Sequence, residues 1–373
     1  MGAQRRVPVA IAHDYLTQRG GAERVVLAMS RAFPDAPIYT TLYDRDGSFP
    51  EFRDRHVIVS PLNRIPAFRR DHRRALPLLA AAASAKKIHA DVTLASSSGW
   101  AHGFRTAGKM LVYCHNPARW LYQAEEYLGE SGRRSARAVA LGALTPPLRL
   151  WDRTAAGRAD RYLANSQTVK ERIATTYGIE ADVVPPPPGL DLCGEQSGHP
   201  DLAEWGHCSY WLVVSRLLPY KNVDKAIETF RDRPHERLVV VGDGPERDAL
   251  RASLPANVRI VSGVSDDELR WIYSHAQGLV APSMEDFGLT PLEANGWGLP
   301  VVALREGGYL DTVVEGQTGV FFDRSEPELI GRAIDRAATY EWSCHTLVRH
   351  AAAFGEERFA ARLRDEVATL HTR

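Results

Sequence analysis

Two carboxylates, two cations and two histidines draw attention in this chain, because each follows an apolar run. Glu285 and Glu293 stand eight positions apart in SMEDFGLTPLEANGWGLP, residues 283–300. The run 278–282 (GLVAP) before them reads as a buried strand, and Phe287-Gly288 breaks the chain after the first carboxylate. Residues 289–294 read as a helix opening, with Thr290 as N-cap, Pro291 in the first turn and Glu293 three residues on. The first turn of a helix leaves N–H groups unpaired and carries partial positive charge, so it holds a phosphate well. A nucleotide with its phosphates there would meet one carboxylate on each side for its hydroxyls.

The other candidates also sit where strands should end. The run 210–215 (YWLVVS) delivers Arg216 and then Lys221, a planar fork and a point charge. Two such cations neutralise a diphosphate without metal and stabilise the charge that grows on it as a group departs. KMLVYC, residues 109–114, delivers His115-Asn116-Pro117, and VPVAIA, residues 7–12, delivers His13. In open α/β sheets ligands bind at that carboxyl edge. Gly20 and Gly21, in TQRGGAE at 17–23, precede a helical pattern over 24–33 and would permit close approach of a ligand to the backbone.

Positioning these groups takes alternating strands and helices. Strands are also predicted at 90–95, 159–164, 257–262, 301–303 and 318–323, with a strand and turn over 237–244, and Ser166 should cap a helix over 168–177. The G-x-G-x-x-G fingerprint is absent after the first strand, which argues against a dinucleotide enzyme. A length of 373 residues fits about two domains. The proline run of DVVPPPPG, 182–189, is the best linker, since it enforces stiff extended backbone. Charge changes sign there: residues 1–188 carry 27 Lys and Arg against 17 Asp and Glu, and the remainder carries 19 against 29. The boundaries expected are 1–184, 189–353 and a terminal helix over 354–373.

Composition excludes several classes. Hydrophobic content of 44% and charged content of 25% describe an ordinary globular chain. Cys114, Cys193, Cys208 and Cys344 are scattered without a CxxC pair, as reduced thiols would be. No D-x-D at a strand end and no His/Cys cluster suggests a metal, so none is expected. Residues 1–6 lead straight into the first strand without the apolar core of a signal peptide, and no apolar run reaches membrane-span length. A cytoplasmic protein is expected, in peripheral contact with the inner face of a membrane if it meets one. Residues 53–74 hold seven Arg and two Asp among Val57, Ile58, Val59, Leu62, Ile65 and Phe68. That stretch reads either as a solvated face or as a surface for anionic lipid. Bulk neutrality and the lack of a binding motif argue against nucleic acid.

E-x-F-G-x-x-x-x-E, with a strand before it and G-x-P-V-V after it, resembles the donor-site motif of GT4-type retaining glycosyltransferases. Arg216 to Lys221 resembles that family's R-x-x-x-x-K-G, with Asn222 where Gly is common. Asp311 stands where the family usually has Glu. HDYL…GGAERV, FPDAPIYT, YCHNP and EDFGLTPLEA most resemble bacterial mannosyltransferases of cell-envelope glycan synthesis. The resemblance implies an α/β protein of GT-B fold, with two Rossmann-like domains whose parallel sheets face a central cleft. The first domain would bind the acceptor, the second the nucleotide sugar, and the terminal helix would pack back on the first.

By the same resemblance, Glu285 and His115 face the donor sugar, Glu293 binds the ribose, and Arg216 and Lys221 hold the diphosphate. Phe287, Gly288 and the Leu289 and Thr290 amides would line the donor site with Gly21, Gly242 and Val264, the last on a loop bordering the base. Gly20, Gly21 and His13 would lie on the acceptor side. The implied activity is metal-independent hexosyl transfer with retention, needing no cofactor beyond a nucleotide-sugar co-substrate, which the mannosyltransferase likeness implies is GDP-mannose. The acceptor would be a hydroxyl of a glycan or lipid-linked molecule. Two alternatives stay open: a UDP-sugar enzyme with a small or sugar-phosphate acceptor, resembling sucrose-phosphate synthase, and an inactive sugar-nucleotide-binding protein.

Overall fold

Short runs that are apolar on both faces, rich in Val, Leu and Ala, belong in the middle of parallel sheets covered by helices. Two such sheets form in the computed structural model, which describes residues 7–123, 136–205 and 209–372. Cys208 and the leading residues 1–6 lie outside the described residues. The chain divides into two compact units, one of residues 1–187 with 356–373 and one of residues 188–355.

The strands of the first unit are β1 (Val7–His13), β2 (Ile38–Thr40), β3 (Val57–Val59), β4 (Lys87–Ile88), β5 (Ala90–Ser97), β6 (Arg105–Thr106), β7 (Lys109–Cys114), β8 (Arg161–Ala164) and β9 (Ala181–Val183). Seven of them make one sheet in the order β3-β2-β1-β5-β7-β8-β9, parallel throughout, while β4 and β6 pair apart from it. The strand order reverses between β1 and β5, and the crevice at such a switch point is where open sheets take ligands. Register there sets His13 beside Ser96, and Ser97 beside Cys114.

The second unit contains β10 (Tyr210–Val214), β11 (Leu238–Val241), β12 (Val258–Val261), β13 (Ala276–Ala281), β14 (Val301–Leu304) and β15 (Gly319–Phe322). Their order is β12-β11-β10-β13-β14-β15, again all parallel. Its switch point falls between β10 and β13, the strands that lead to Arg216 and to Glu285. Both units are thus the parallel α/β sheets that the apolar runs require. Ser166 caps the helix Gln167–Tyr177 by accepting from the Val169 amide, as the sequence indicates. Ser265 and Glu268 close a reciprocal capping box on the helix Asp266–His275.

The helix Glu356–His371 belongs to the first unit although the whole second unit precedes it. Phe359, Leu363, Val367 and Leu370 enter the core built by Val25, Val26, Met29, Leu94 and Tyr113. Arg31 holds Glu356 through two hydrogen bonds of 2.5 and 2.6 Å, and Arg161 meets the buried Glu366 at 2.6 Å. No helix of the described residues is long and apolar enough to cross a membrane.

Leu363 is fully buried, so Leu363→Ala removes methyl groups from a packed core and should cost about 2–5 kcal/mol. Hydrogen exchange should show lost protection in β5 and β7 while β10 to β15 keep theirs. Equal losses in both sheets would show that the helix does not serve the first unit.

Candidate functional site

In the second unit the loop after β13 carries Ser283 and Glu285, and the loop after β10 carries Arg216 and Lys221. Strands β10 and β13 are hydrogen-bonded neighbours, so these loops emerge side by side. Lys221 is 5% exposed and forms a salt bridge with Glu285, whose same carboxylate oxygen accepts from the Ser283 hydroxyl at 3.0 Å. The sequence offered both cations to one diphosphate, yet the fold treats them differently. Lys221 is buried and paired, whereas Arg216 is exposed, with its guanidinium 3.2 Å from the Tyr220 hydroxyl. Asn222 adopts a left-handed conformation, φ 52°, and its side-chain amide donates to the Pro282 carbonyl at 3.1 Å. A residue in that conformation is usually Gly or Asn, so the departure from glycine fits the geometry.

The helix after Glu285 runs Leu289–Gly296, and here the sequence reading is corrected. Its N-cap is Gly288, not Thr290, which lies inside the first turn. Gly288 has φ +92°, and a Cβ there would come within 2.5 Å of the Tyr309 ring, so the position needs glycine twice over. Thr290 and Glu293 have capping-box spacing, but Glu293 is committed elsewhere. Its carboxylate, 9% exposed, accepts from the Tyr273 hydroxyl at 3.0 Å and the Gly189 amide at 3.3 Å. Phe287 is buried, and the Glu285 carbonyl accepts from the Gly308 amide at 2.8 Å. Gly242 lies where a Cβ would fall 1.9 Å from the Ser215 carbonyl oxygen, so it brings the chain after β11 close to that after β10. Val264, just before the helix Asp266–His275, packs on the second unit's core, which includes Leu212, Val240, Val261 and Ile272.

The first unit gathers a different set. His13 ends β1 and His115 follows β7; both approach Ser96 at the end of β5. Glu23, missed by motif reasoning, is 1% exposed, with Oε1 3.9 Å from His13 Nε2. Its carboxylate lies beside Gly20, where a Cβ would fall 2.6 Å from Oε2. Gly21 opens the helix Gly21–Ala32. Asp14 accepts from the amides of Ser98, Trp100 and Ala101 at 2.6–3.0 Å and so pins the loop after β5. A second buried cluster lies alongside, with Ser97 Oγ 2.9 Å from His102 Nδ1 and His102 Nε2 3.0 Å from Asp152 Oδ1. These three have the residue types of a nucleophilic triad, but none is more than 2% exposed, so their role is structural. The signal that could have found Ser96 and Ser97 is the serine run 96–98 ending an apolar strand.

Burial pushes the pKa of His115 down to about 3, helped by repulsion from His13. Burial also opposes a charge on His13, but the Glu23 carboxylate outweighs it and the pKa is raised. Among the described residues no group of three or more His, Cys, Asp or Glu is placed to hold a metal. A cavity of about 580 Å³ lies elsewhere in the first unit, lined by Arg64, Arg69 and Lys86 with Ser60, Asn63 and four apolar residues.

The low pKa of His115 has a consequence for stability. Between about pH 3 and 6.5 the unfolded chain binds a proton that folded His115 refuses, so its contribution is present above pH 6.5 and lost on acidification. At pH 5 the loss should reach about 2 kcal/mol. Urea unfolding at pH 7.5 and pH 5 should therefore show wild type losing about that much more than His115→Gln. An identical pH response in both would place His115 in water.

The family model "Glycosyltransferase Family 4" matches residues 19–192, and "Glycosyl transferases group 1" matches residues 208–354. The chain is 29% identical over 319 residues to the D-inositol 3-phosphate glycosyltransferase of Streptosporangium roseum, covering 76% of this chain and 70% of that one. It is 30% identical over 193 residues to the GDP-mannose-dependent alpha-(1-6)-phosphatidylinositol monomannoside mannosyltransferase of Mycolicibacterium smegmatis. That match covers 45% of this chain and half of the relative. The sucrose-phosphate synthase structure from Thermosynechococcus elongatus superposes with a TM-score of 0.72 at 19% identity, covering 98% of this chain and all of that one. Anabaena HepE in complex with UDP-glucose superposes at 0.68 and 17% identity, covering 97% and 99%. Those two structures show the GT-B fold, and the two family models, which together take in most of the chain, show that this protein belongs to the GT4-type retaining glycosyltransferases.

Proposed function

We propose that this enzyme transfers mannose from GDP-mannose to a hydroxyl of a glycan or lipid-linked acceptor. The observation that carries the reading is the group at the second switch point. There the Lys221–Glu285 pair, the Ser283 hydroxyl, the exposed Arg216 and the helix start at Leu289 surround one sheet edge. That combination suits a nucleoside diphosphate sugar. Arg216, Lys221 and the Leu289 and Thr290 amides take the diphosphate, Glu293 takes the ribose, and Glu285 takes sugar hydroxyls. Phe287, Gly288, Gly242 and Val264 shape the donor pocket. The first unit binds the acceptor by way of Gly20, Gly21 and His13, and His115 meets the transferred sugar. Mannose is favoured over glucose by the GDP-mannose-dependent relatives; UDP-sugar transfer to a small acceptor is the second reading, supported by the HepE neighbour in complex with UDP-glucose.

Glu285 is tied to an ammonium and a hydroxyl, which suits a hydroxyl-binding group better than a nucleophile. Retention then follows from front-face attack. The acceptor oxygen bonds to the anomeric carbon on the side where the bond to the β-phosphate breaks, and the departing phosphate oxygen takes the acceptor proton. Loss of a preorganised cation from such a clamp costs about 2–4 kcal/mol of transition-state stabilisation. Arg216→Ala should therefore lower kcat/KM with GDP-mannose by roughly 30- to 1000-fold without altering unfolding. The same assay run in EDTA should keep full rate, because the cations replace a metal. Wild-type kcat/KM in the variant, or activity lost in EDTA and restored by Mg²⁺, would overturn the clamp.

A peripheral contact with anionic membrane is the further part of the proposal. Arg64, Arg69 and Lys86 line one cavity and pair with no carboxylate among the described residues, and Ile65 and Leu78 nearby are 42% and 45% exposed. Uncompensated cations beside exposed apolar groups suit acidic headgroups. Binding to vesicles should require anionic lipid and weaken as salt rises, and the triple alanine variant of these cations should lose it. Equal partition to neutral and anionic vesicles would return the surface to an ordinary solvated face.

A further inference from the structure

The hydrogen bonds at the end of β5 fix more than the position of His115. His13 Nδ1 lies 3.1 Å from the Ser96 carbonyl oxygen and 3.1 Å from the Ser96 hydroxyl. A carbonyl oxygen only accepts, so His13 Nδ1 must carry a hydrogen. A ring nitrogen that carries hydrogen has no lone pair to offer, so the Ser96 hydroxyl cannot donate to it. That hydroxyl is buried, and the only other acceptor the described residues give it is His115 Nε2 at 2.8 Å. Were His115 Nε2 itself the donor, a buried O–H would be left without an acceptor, which is costly. Nε2 therefore accepts, and a neutral His115 must hold its hydrogen on Nδ1, the nitrogen to which the described residues give no partner.

Glu23 supplies the second constraint. The groups facing His13 are Glu23, Asp14 and Ser96 on its two sides, and Glu23 favours the doubly protonated ring. A charged His13 in turn repels a proton from His115. Ser96 selects which nitrogen of His115 carries hydrogen, and His13 with Glu23 keeps the ring at one hydrogen.

We propose that Ser96, His13 and Glu23 are positioning residues that present His115 as a neutral ring with hydrogen on Nδ1. His115 then meets an oxygen of its ligand as a hydrogen-bond donor and takes no proton from the acceptor. That His115 reaches the sugar rests on the functional reading above; the tautomer rests on the hydrogen bonds alone.

The experiment is a two-bond ¹H–¹⁵N correlation on the full chain labelled with ¹⁵N-histidine, with His115→Gln and His13→Gln used to assign the signals. From pH 8 to 5.5 His115 should show the Nδ1–H pattern without titrating, while His13 takes up its second proton at a higher pH than an ordinary histidine. Ser96→Ala should abolish the Nδ1–H preference and Ser96→Thr should restore it, with dispersed amide spectra confirming that both variants fold. Glu23→Gln should leave the tautomer but let His115 begin to titrate in acid. An Nε2–H pattern in wild type, or an unchanged tautomer in a folded Ser96→Ala, overturns the proposal. A kinetic arm separates the two readings. The Asn side chain sets its amide near the Nδ1 position, so His115→Asn should stay within about tenfold of wild type while His115→Gln, with its amide nearer Nε2, falls about a hundredfold. Wild-type kinetics in both variants with the Nδ1–H pattern intact would sink the contact with sugar and leave the tautomer standing.

Discussion

A buried ammonium persists only beside an anion, and Lys221 meets that demand in Glu285, 64 residues away. Much of the second unit's candidate site follows from that one pairing. The two loops must emerge next to each other, which the neighbouring strands β10 and β13 provide. The chain must then turn out of the Lys221 loop into a helix, which the left-handed Asn222 allows. Past Glu285 it must enter another helix within three residues, which Gly288 allows beside the buried Tyr309. The pair also leaves Arg216 as the exposed cation of the two, so one guanidinium faces water where an anion can reach it.

The first unit handles buried polarity differently. Its polar side chains collect at the carboxyl ends of β1, β5 and β7, where strand pairing stops and backbone groups need other partners. Asp14 satisfies three amides of one loop, Asn165 donates to the His115 carbonyl at 3.1 Å, and Tyr122 donates to Asp152 at 2.8 Å. The result is a rigid polar floor beneath the strand ends.

Strands and the fold class were legible because apolar runs are local. Residues 109–114 form β7 as read, and Ser166 caps its helix because a hydroxyl before a helical pattern acts within four residues. Thr290 shows the limit of such local signals. Ser265 with Glu268 and Thr290 with Glu293 share one spacing, yet only the first pair closes a capping box. The outcome was decided by Tyr273 and Gly189, which claim Glu293 from elsewhere in the fold. The contacts of Ser96 with His13 and of Lys221 with Glu285 were likewise invisible, because they join residues 83 and 64 positions apart. Motifs named the reactive side chains; the partners that set their protonation came only with the sheets.

The helix Glu356–His371 makes the first unit discontinuous, and this bears on the order in which the chain becomes a protein. Residues 1–187 leave the ribosome first, but Phe359, Leu363, Val367 and Leu370, which complete their core, leave last. At about 5–20 residues per second the intervening unit takes roughly ten to thirty seconds to synthesise. Through that interval the nascent first unit carries an unfilled apolar groove beside the helix Gly21–Ala32. The second unit has no such gap and can close on itself while the first waits. The half of the chain that is made first is therefore completed only after the half that follows it.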